Sequence, residues 1–155
     1  MVKEVFEKLE ENNISIASAE SATGGFFIYS LILNPGASKF VKGSVVSYTD
    51  EIKQNILKVP KKIISEKTSI SEEVSKQMAV NIRKLYKTDI GISFTGNAGP
   101  QDLGDIPVGT FYISVASKLG VESTHFITKG SRESIIQDAV NQGFFLINSL
   151  IKELK

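Results

Sequence analysis

The 155-residue chain has no cysteine, no tryptophan and only one histidine, His125. Without cysteine there can be no disulfide, no thiolate metal site and no cysteine nucleophile. Histidine–carboxylate metal clusters need more histidine than this, and conventional serine triads need a suitably placed one. His125 lies between Thr124 and Phe126 in a strand-like segment, a pattern that favours a structural or surface histidine.

The sequence also has no large excess of positive or negative charge and no long apolar run. The 18 basic and 17 acidic residues give a formal net charge of +1 and are interleaved, which leaves no electrostatic footprint for nucleic acid or an anionic membrane. No apolar run is long enough to span a bilayer, and the first nine residues alternate at helical spacing, unlike a signal peptide. We therefore expect a cytoplasmic protein with no nucleic-acid or membrane partner, folded as one domain over residues 1–155.

Strand-like and helix-like segments alternate along the chain and predict a single-domain α/β fold with about five strands. The strands are parallel where helices connect them and antiparallel at a late hairpin. Predicted helices cover residues 1–13, 26–33, 49–57, 71–88 and 130 to the C-terminus, and predicted strands cover residues 14–19, 40–48, 89–95, 108–117 and 121–128. The basic segment 58–68 is predicted to be an irregular surface connection. Glycine-containing turns follow three strands, so parallel strands would bring these turns to one edge of the sheet.

A turn rich in small residues, Ser18–Gly25, joins the first of these strands to a helix. Small residues let the backbone approach a ligand, and the free N–H groups at a helix start suit an anion or a developing oxyanion. Ser21 is a candidate nucleophile there. The alternative is structural: Ser21 or Thr23 caps the helix and the glycines only permit close packing. The glycine and lysine spacings of phosphate loops and dinucleotide-binding motifs are missing.

A serine without a histidine partner can be activated by a lysine that is held neutral. Tyr48 and Lys53 fall at the junction of the second strand and the next helix, and both could face Ser21 if the two strands are neighbours. On spacing alone, an exposed lysine on a helix face is the simpler interpretation of Lys53.

Several motifs, spread over nearly the whole chain and in the same order, resemble those of the CinA C-terminal domain family, which includes the PncC-type nicotinamide-nucleotide amidases. Residues 19–25 resemble the A-E-S-C-T-G-G motif, residues 35–40 resemble P-G-S-S-x-x-F, and residues 43–53 resemble G-x-V-x-Y-S-N-E-x-K. Residues 71–74 match S-E-E-V, residues 95–100 match T-G-I-A-G-P, residues 107–110 match P-V-G-T, and residues 130–132 stand where the family has G-D-R.

The resemblance implies a three-layer α/β/α sandwich with a mixed, mostly parallel sheet. It also implies hydrolysis of the carboxamide of nicotinamide mononucleotide to nicotinate mononucleotide and ammonia, with no metal or other cofactor. In this chain Ser21 would be the nucleophile, Lys53 its general base and Tyr48 the third catalytic residue. The candidates for substrate contacts are Thr23, Gly24, Thr95, Gly96, Gly99 and Arg132. A homodimer or larger homo-oligomer is expected.

The sequence also departs from the family pattern. Ala22 replaces the motif's cysteine, Thr49-Asp50 replaces Ser-Asn, Asn97 replaces an apolar residue, and residues 101–106 replace a glycine-rich run and a lysine. The proposed catalytic residues are retained, whereas the substrate pocket is altered. Two alternatives therefore stay open: an amidase for another small amide, and a non-catalytic ligand-binding or competence- and damage-associated module of the same fold.

Overall fold

A computed structural model describes residues 1–154. The six helices are α1 (Val2–Glu11), α2 (Phe26–Ile32), α3 (Asp50–Asn55), α4 (Lys61–Lys67), α5 (Glu72–Tyr86) and α6 (Arg132–Leu154), and the five strands are β1 (Ile16–Glu20), β2 (Val41–Val46), β3 (Ile90–Gly96), β4 (Thr110–Ser117) and β5 (Gly120–Ile127). Every element predicted from the sequence is present, with ends that differ by a few residues. A short 3-10 turn at Ala37–Lys39 precedes β2.

The strands form one mixed sheet in the order β2-β1-β3-β4-β5. The pairs β1–β2 and β1–β3 are parallel, whereas β3–β4 and β4–β5 are antiparallel. Two antiparallel steps restore the original direction, so four of the five strands point the same way and β4 alone is reversed. The carboxyl ends of β1, β2 and β3 therefore meet at one edge, where open α/β sheets place their ligands.

Helices cover both faces of the sheet, which confirms the predicted three-layer α/β/α arrangement. Helices α1, α2 and α6 pack on one face around large apolar side chains that include Ile92, Phe94, Phe111 and Phe144. Helices α4 and α5 cover the other face, where the buried side chains of the strands are small, such as Ala17 and Ala19. Because successive side chains of a strand point to opposite faces, β1 contributes Ile16 to the first core and Ala17 and Ala19 to the second.

The segment 58–68, which we expected to be irregular, contains helix α4. Pro60 immediately precedes the first helical residue, and its φ of −58° suits a helix start. Ile64 is buried in the core under α5 and Ile63 packs against it, so two apolar residues anchor one side of an otherwise basic helix. The expectation is wrong because Pro60 not only follows the preceding helix but also begins the next one.

Helix α5 lies close to the sheet because Gly91 on β3 has no side chain. A Cβ at Gly91 would lie 2.4 Å from the Ala79 carbonyl oxygen and 2.6 Å from the Arg83 Cβ, so α5 would have to move away. We expect Gly91→Ala to lower the free energy of unfolding by about 2–3 kcal/mol through overpacking. Urea unfolding followed by circular dichroism measures this. The matched control is Gly104→Ala, where a Cβ meets nothing within 4 Å and only the backbone strain at a φ of +58° remains, about 1 kcal/mol. Equal losses in the two variants would contradict the packing argument.

Candidate active site

Ser21 lies directly after β1, at the carboxyl edge of the sheet between β2 and β3. Its N–H donates to the Phe94 carbonyl at 2.9 Å, and the Ser47 N–H donates to the Glu20 carbonyl at 2.9 Å. These two bonds extend the parallel pairing one residue beyond the strands. Ser21 is therefore held by its own backbone bond to β3 and by the bond of the preceding residue, Glu20, to the chain that follows β2. Ser21 is 8% exposed.

Lys53 reaches Ser21 from the first turns of α3. The Thr49 hydroxyl caps this helix by accepting from the Ile52 N–H at 3.3 Å, which fixes where the helix begins after β2. The Lys53 Nζ lies 3.2 Å from the Ser21 Oγ and donates to the Ser47 carbonyl at 2.8 Å. Lys53 is only 2% exposed. The structure thus brings Ser21 and Lys53, the predicted nucleophile and general base, within hydrogen-bond reach. It also shows that Lys53 is buried, whereas its spacing in the sequence favours an exposed lysine.

Two effects act in opposite directions on the pKa of Lys53. Burial lowers the pKa below its ordinary value of 10.5, because desolvation disfavours the ammonium form. The negative charge of Asp50, three residues earlier on α3, raises the pKa and opposes this shift. Burial is the larger effect, so the balance favours a neutral amine more than in an exposed lysine. A neutral amine next to a hydroxyl is the arrangement that a serine nucleophile needs for deprotonation.

The turn after Ser21 contains a backbone N–H group, that of Ala22, which is available to a ligand. The Gly24 N–H donates to the Ser21 carbonyl and the Phe26 N–H donates to the Thr23 carbonyl, so the chain turns tightly. Within residues 1–154, the Ala22 N–H makes no hydrogen bond, and Ala22 lines the cleft beside Ser21. An N–H in this place is a candidate donor to an oxyanion that forms on the carbonyl attacked by Ser21.

Glu20 stabilises this turn, a role that the sequence alone did not assign. The carboxylate is fully buried and accepts hydrogen bonds from two backbone N–H groups at the start of α2 and from three hydroxyl groups: the donors are Phe27, Ile28, Ser18, Thr23 and Ser44. A buried carboxylate without a basic partner needs such donors. The available signal was an acid at the end of a buried strand and just before a helix start, where a carboxylate can cap free N–H groups.

Ser21 and Lys53 open into a cleft of about 400 Å³. Its walls come from five segments of the sequence, and the lining residues are Ser21, Ala22, Tyr48, Asp50, Lys53, Ser69, Ile70, residues 95–101, Leu103 and Arg132. Of the three glycine-containing turns predicted to share one edge of the sheet, the one after β3 lines the cleft with its glycines, whereas the other two contribute only the neighbouring residues Ser21, Ala22 and Arg132. Four of the six predicted substrate-contact residues line this cleft: Thr95, Gly96, Gly99 and Arg132.

Tyr48 lies at the mouth of the cleft and is 59% exposed. Its hydroxyl accepts a hydrogen bond from the Arg132 Nη2 at 3.0 Å, and the Arg132 Nη1 donates to the Gly99 carbonyl. The guanidinium therefore lies between Tyr48, in the loop that precedes α3, and Gly99, in the loop that follows β3. Tyr48 shares the cleft with Ser21 and Lys53, but its hydroxyl is bonded to neither of them.

Thr23 and Gly24, the other two predicted substrate-contact residues, do not line the cleft. The Thr23 hydroxyl donates to Glu20 at 2.8 Å and is buried, and Gly24 forms the turn with a φ of +58°. Thr23 and Gly24 therefore belong to the turn that follows Ser21, where they contribute to its structure. His125, on β5, stacks against Tyr112 with ring centroids 5.5 Å apart, away from the cleft residues.

Residues 1–154 contain no group of three or more histidine, cysteine, aspartate or glutamate side chains placed to hold a metal ion. None of the helices described here has the length and apolar character needed to cross a bilayer.

The fold resembles solved structures over nearly its whole length. A CinA superfamily protein from Klebsiella pneumoniae superimposes with a TM-score of 0.95 at 25% identity, covering 98% of this chain and 96% of that protein. A competence/damage inducible protein from Agrobacterium tumefaciens superimposes with a TM-score of 0.90 at 22% identity, covering 96% of this chain and 92% of that protein. The second similarity shows a shared fold.

Sequence relatives show the family. Proteins named putative competence-damage inducible protein are 43% identical over 92% of this chain in Listeria monocytogenes and 41% identical over 93% in Geobacillus kaustophilus. The chain spans 35% of the length of each of these relatives. The model of the CinA C-terminal domain matches residues 1–151. With matched motifs, a matched fold and this coverage, the chain belongs to the CinA C-terminal domain family.

Proposed function

We propose that this protein is an amidohydrolase that converts nicotinamide mononucleotide to nicotinate mononucleotide and ammonia. The observation that carries the proposal is the 3.2 Å separation between the Ser21 Oγ and the Nζ of the buried Lys53, at the floor of an open cleft. A structural serine does not need a desolvated lysine beside it. Membership of the CinA C-terminal domain family supports the same reaction class.

The first half of the reaction would form an acyl-enzyme. The Ser21 Oγ adds to the carbonyl carbon of the carboxamide as its proton passes to the neutral Nζ of Lys53. The electron-withdrawing pyridinium ring favours this addition. The carbonyl oxygen becomes an oxyanion, which the N–H of Ala22 would stabilise. Lys53, now an ammonium, donates its new proton to the departing nitrogen, and ammonia leaves.

The second half would release the acid. Water attacks the ester carbonyl of Ser21 while Lys53 accepts a proton from the water. The bond between the carbonyl carbon and the Ser21 Oγ then breaks, Lys53 returns the proton to the Oγ, and nicotinate mononucleotide leaves. The Ser47 carbonyl, which accepts a hydrogen bond from Nζ at 2.8 Å, holds the amine in place through both halves. No step needs an oxidant, a reductant or a second substrate other than water.

The walls of the cleft would bind the nucleotide. Arg132 offers a guanidinium that is already oriented by Tyr48 and Gly99, and such a group suits a phosphate. The backbone of Thr95 and Gly96 lines the same wall. A Cβ at Gly96 would lie 2.5 Å from the Phe111 ring and from the Thr110 carbonyl oxygen, so glycine is required there for packing as well as for access.

Incubation of the purified chain with nicotinamide mononucleotide tests the proposal. Equal amounts of ammonia and nicotinate mononucleotide should appear, and Ser21→Ala should release neither while keeping the wild-type circular dichroism spectrum. Ammonia release that is the same in wild type and Ser21→Ala would overturn the assignment of the nucleophile. A folded wild type that binds the nucleotide and releases no ammonia would overturn the reaction.

A second candidate, an amidase for another small amide, is favoured by the loop that follows β3. Leu103 and Ile106 pair across this loop, the Asn97 side chain donates to the Gln101 carbonyl at 2.9 Å, and the Val108 N–H donates to Asp102 at 2.9 Å. Gln101 and Leu103 line the cleft. This loop therefore adds specific side chains to the rim where the family pattern has glycines. A panel of small aromatic and aliphatic amides assayed beside the mononucleotide separates the two candidates.

Arg132 is expected to serve substrate binding rather than bond breaking. Its guanidinium contacts Tyr48 and Gly99 and does not contact Ser21 or Lys53. Arg132→Met should therefore raise KM for nicotinamide mononucleotide at least about tenfold, because a charge-assisted contact to phosphate is lost, and should change kcat less than about threefold. Steady-state ammonia release measures both. Tyr48→Phe, which removes only the hydroxyl that accepts from Arg132, should show a smaller rise in KM. A fall in kcat as large as the rise in KM would contradict this division of roles.

A further inference from the structure

Asp50 is a charged residue of the cleft that the proposed reaction does not use. It is the first residue of α3 and comes three positions before Lys53, so the two side chains lie on adjacent parts of one helix face. Both residues line the cleft with Ser21. Within residues 1–154 the Asp50 carboxylate makes no hydrogen bond and no salt bridge, and the residue is exposed.

A purely structural role does not account for this placement. Acidic residues in the first turn of a helix are favourable because they face the positive end of its dipole. Glu51, the next residue, already supplies such a charge on α3 and does not line the cleft. Asp50 duplicates that contribution and differs from Glu51 in that its carboxylate borders the cleft.

The negative charge of Asp50 works against the proposed reaction unless a positively charged ligand binds beside it. Its negative charge raises the pKa of Lys53, which works against the neutral amine that the base must be. A positively charged group bound beside Asp50 would offset that charge. The ligand that reacts at Ser21 places its amide carbon next to the Ser21 Oγ. Because Ser21 and Asp50 line the same cleft, the ring joined to this carbon can lie beside Asp50.

We infer that Asp50 is a specificity-determining residue, which selects amides joined to a positively charged ring over amides joined to a neutral ring. The inference rests on the proposed function, since it assumes that an aromatic carboxamide enters the cleft. Asp50 and Arg132 together give the cleft one negative and one positive side chain, which suits a ligand that carries a ring cation and a phosphate.

Binding without turnover tests the role of Asp50. In a Ser21→Ala background, calorimetry compares nicotinamide mononucleotide with its reduced form, whose dihydropyridine ring is neutral and whose amide, ribose and phosphate are unchanged. We expect tighter binding of the cationic form, and we expect Asp50→Asn to reduce that preference about threefold to fivefold, as for a solvent-exposed charge pair. Asparagine is also the residue of the family motif at this position, so the variant should fold. The matched control, Glu51→Gln, removes the neighbouring charge and should keep the preference.

The outcomes are distinct from those of the turnover assay. An unchanged preference in Asp50→Asn, or an equal weakening of both ligands, would overturn the role of Asp50, and so would a loss of preference in Glu51→Gln of the same size. Failure of Ser21→Ala to bind either form would overturn it as well. A wild type that releases no ammonia from the mononucleotide would instead overturn the proposed reaction, and the ligand preference would still decide the role of Asp50.

Discussion

Replacing Lys53 with methionine is expected to lower kcat/KM for nicotinamide mononucleotide by at least about 1000-fold, because among residues 1–154 no other basic side chain bonds to Ser21. General-base catalysis contributes about 100- to 10,000-fold, and in the proposed reaction the same amine also protonates the leaving group. Methionine has a similar length and no charge, so it fills the buried site next to Ser47. Steady-state ammonia release gives the rates, and circular dichroism checks the fold.

The matched control is Lys62→Met, which removes a lysine exposed on α4. Lys62→Met should keep the wild-type kcat/KM. A large loss of kcat/KM in Lys62→Met would mean that the net charge of the protein, and not the position of Lys53, accounts for the loss in Lys53→Met. If folded Lys53→Met retained more than about a tenth of the wild-type rate, proton transfer by this lysine would be ruled out.

The pH dependence of the wild type follows from the same residue. Burial lowers the pKa of Lys53 below 10.5, and only the neutral amine accepts the proton of Ser21. The rate should therefore rise with pH as Lys53 loses its proton, and the limb should lie below the pH at which an exposed lysine titrates. Initial rates of ammonia release across a pH series give the position of this limb.

Much of the fold could be predicted from local sequence patterns. The alternation of Ile90, Ile92 and Phe94 indicated β3, and the acids after Ser71 indicated the start of α5. These signals are local, since a strand's period and a helix cap depend on a few neighbouring residues. Helix α4 was missed because its evidence is the burial of Ile64 under α5, a contact between segments that the sequence does not pair.

The candidate site shows the same division between local and long-range information. Nothing in the spacing of residues 48–53 indicates that Lys53 is buried. The end of a strand allows Lys53 to face Ser21 only if the first two strands are neighbours, and the resemblance to the family motifs makes that pairing a prediction. Its position depends on the parallel pairing of β1 with β2, which sets Glu20 opposite Val46 and so brings α3 back over Ser21. Similarly, Thr23 matched a ligand-binding pattern, but its hydroxyl is used by Glu20. A hydroxyl near a helix start has several possible partners, and only the three-dimensional contacts distinguish them.

Glu20→Gln is expected to lower the free energy of unfolding by about 2–4 kcal/mol, the largest stability effect of any single polar change in the site. The Glu20 carboxylate accepts five hydrogen bonds, from the hydroxyls of Ser18, Thr23 and Ser44 at 2.8–3.3 Å and from the N–H groups of Phe27 and Ile28 at 2.9 and 3.1 Å. An amide has nearly the same shape, but its NH₂ group would face donors, and those donors would be left buried without an acceptor.

The Glu20 variant also separates folding from catalysis. Because Glu20 joins the turn after Ser21 to the start of α2, its loss should displace Ser21 and lower kcat at temperatures where the variant is still folded. Thermal unfolding by circular dichroism gives the stability, with a drop in Tm of about 5–15 °C expected for a domain of this size, and ammonia release well below that Tm gives kcat. Glu51→Gln, which changes an exposed glutamate in the first turn of α3, is the control: it should leave kcat unchanged and lower the free energy of unfolding by less than about 1 kcal/mol. A Glu20→Gln variant as stable as wild type would show that the donors find other acceptors, and the positioning of Ser21 by Glu20 would have to be abandoned.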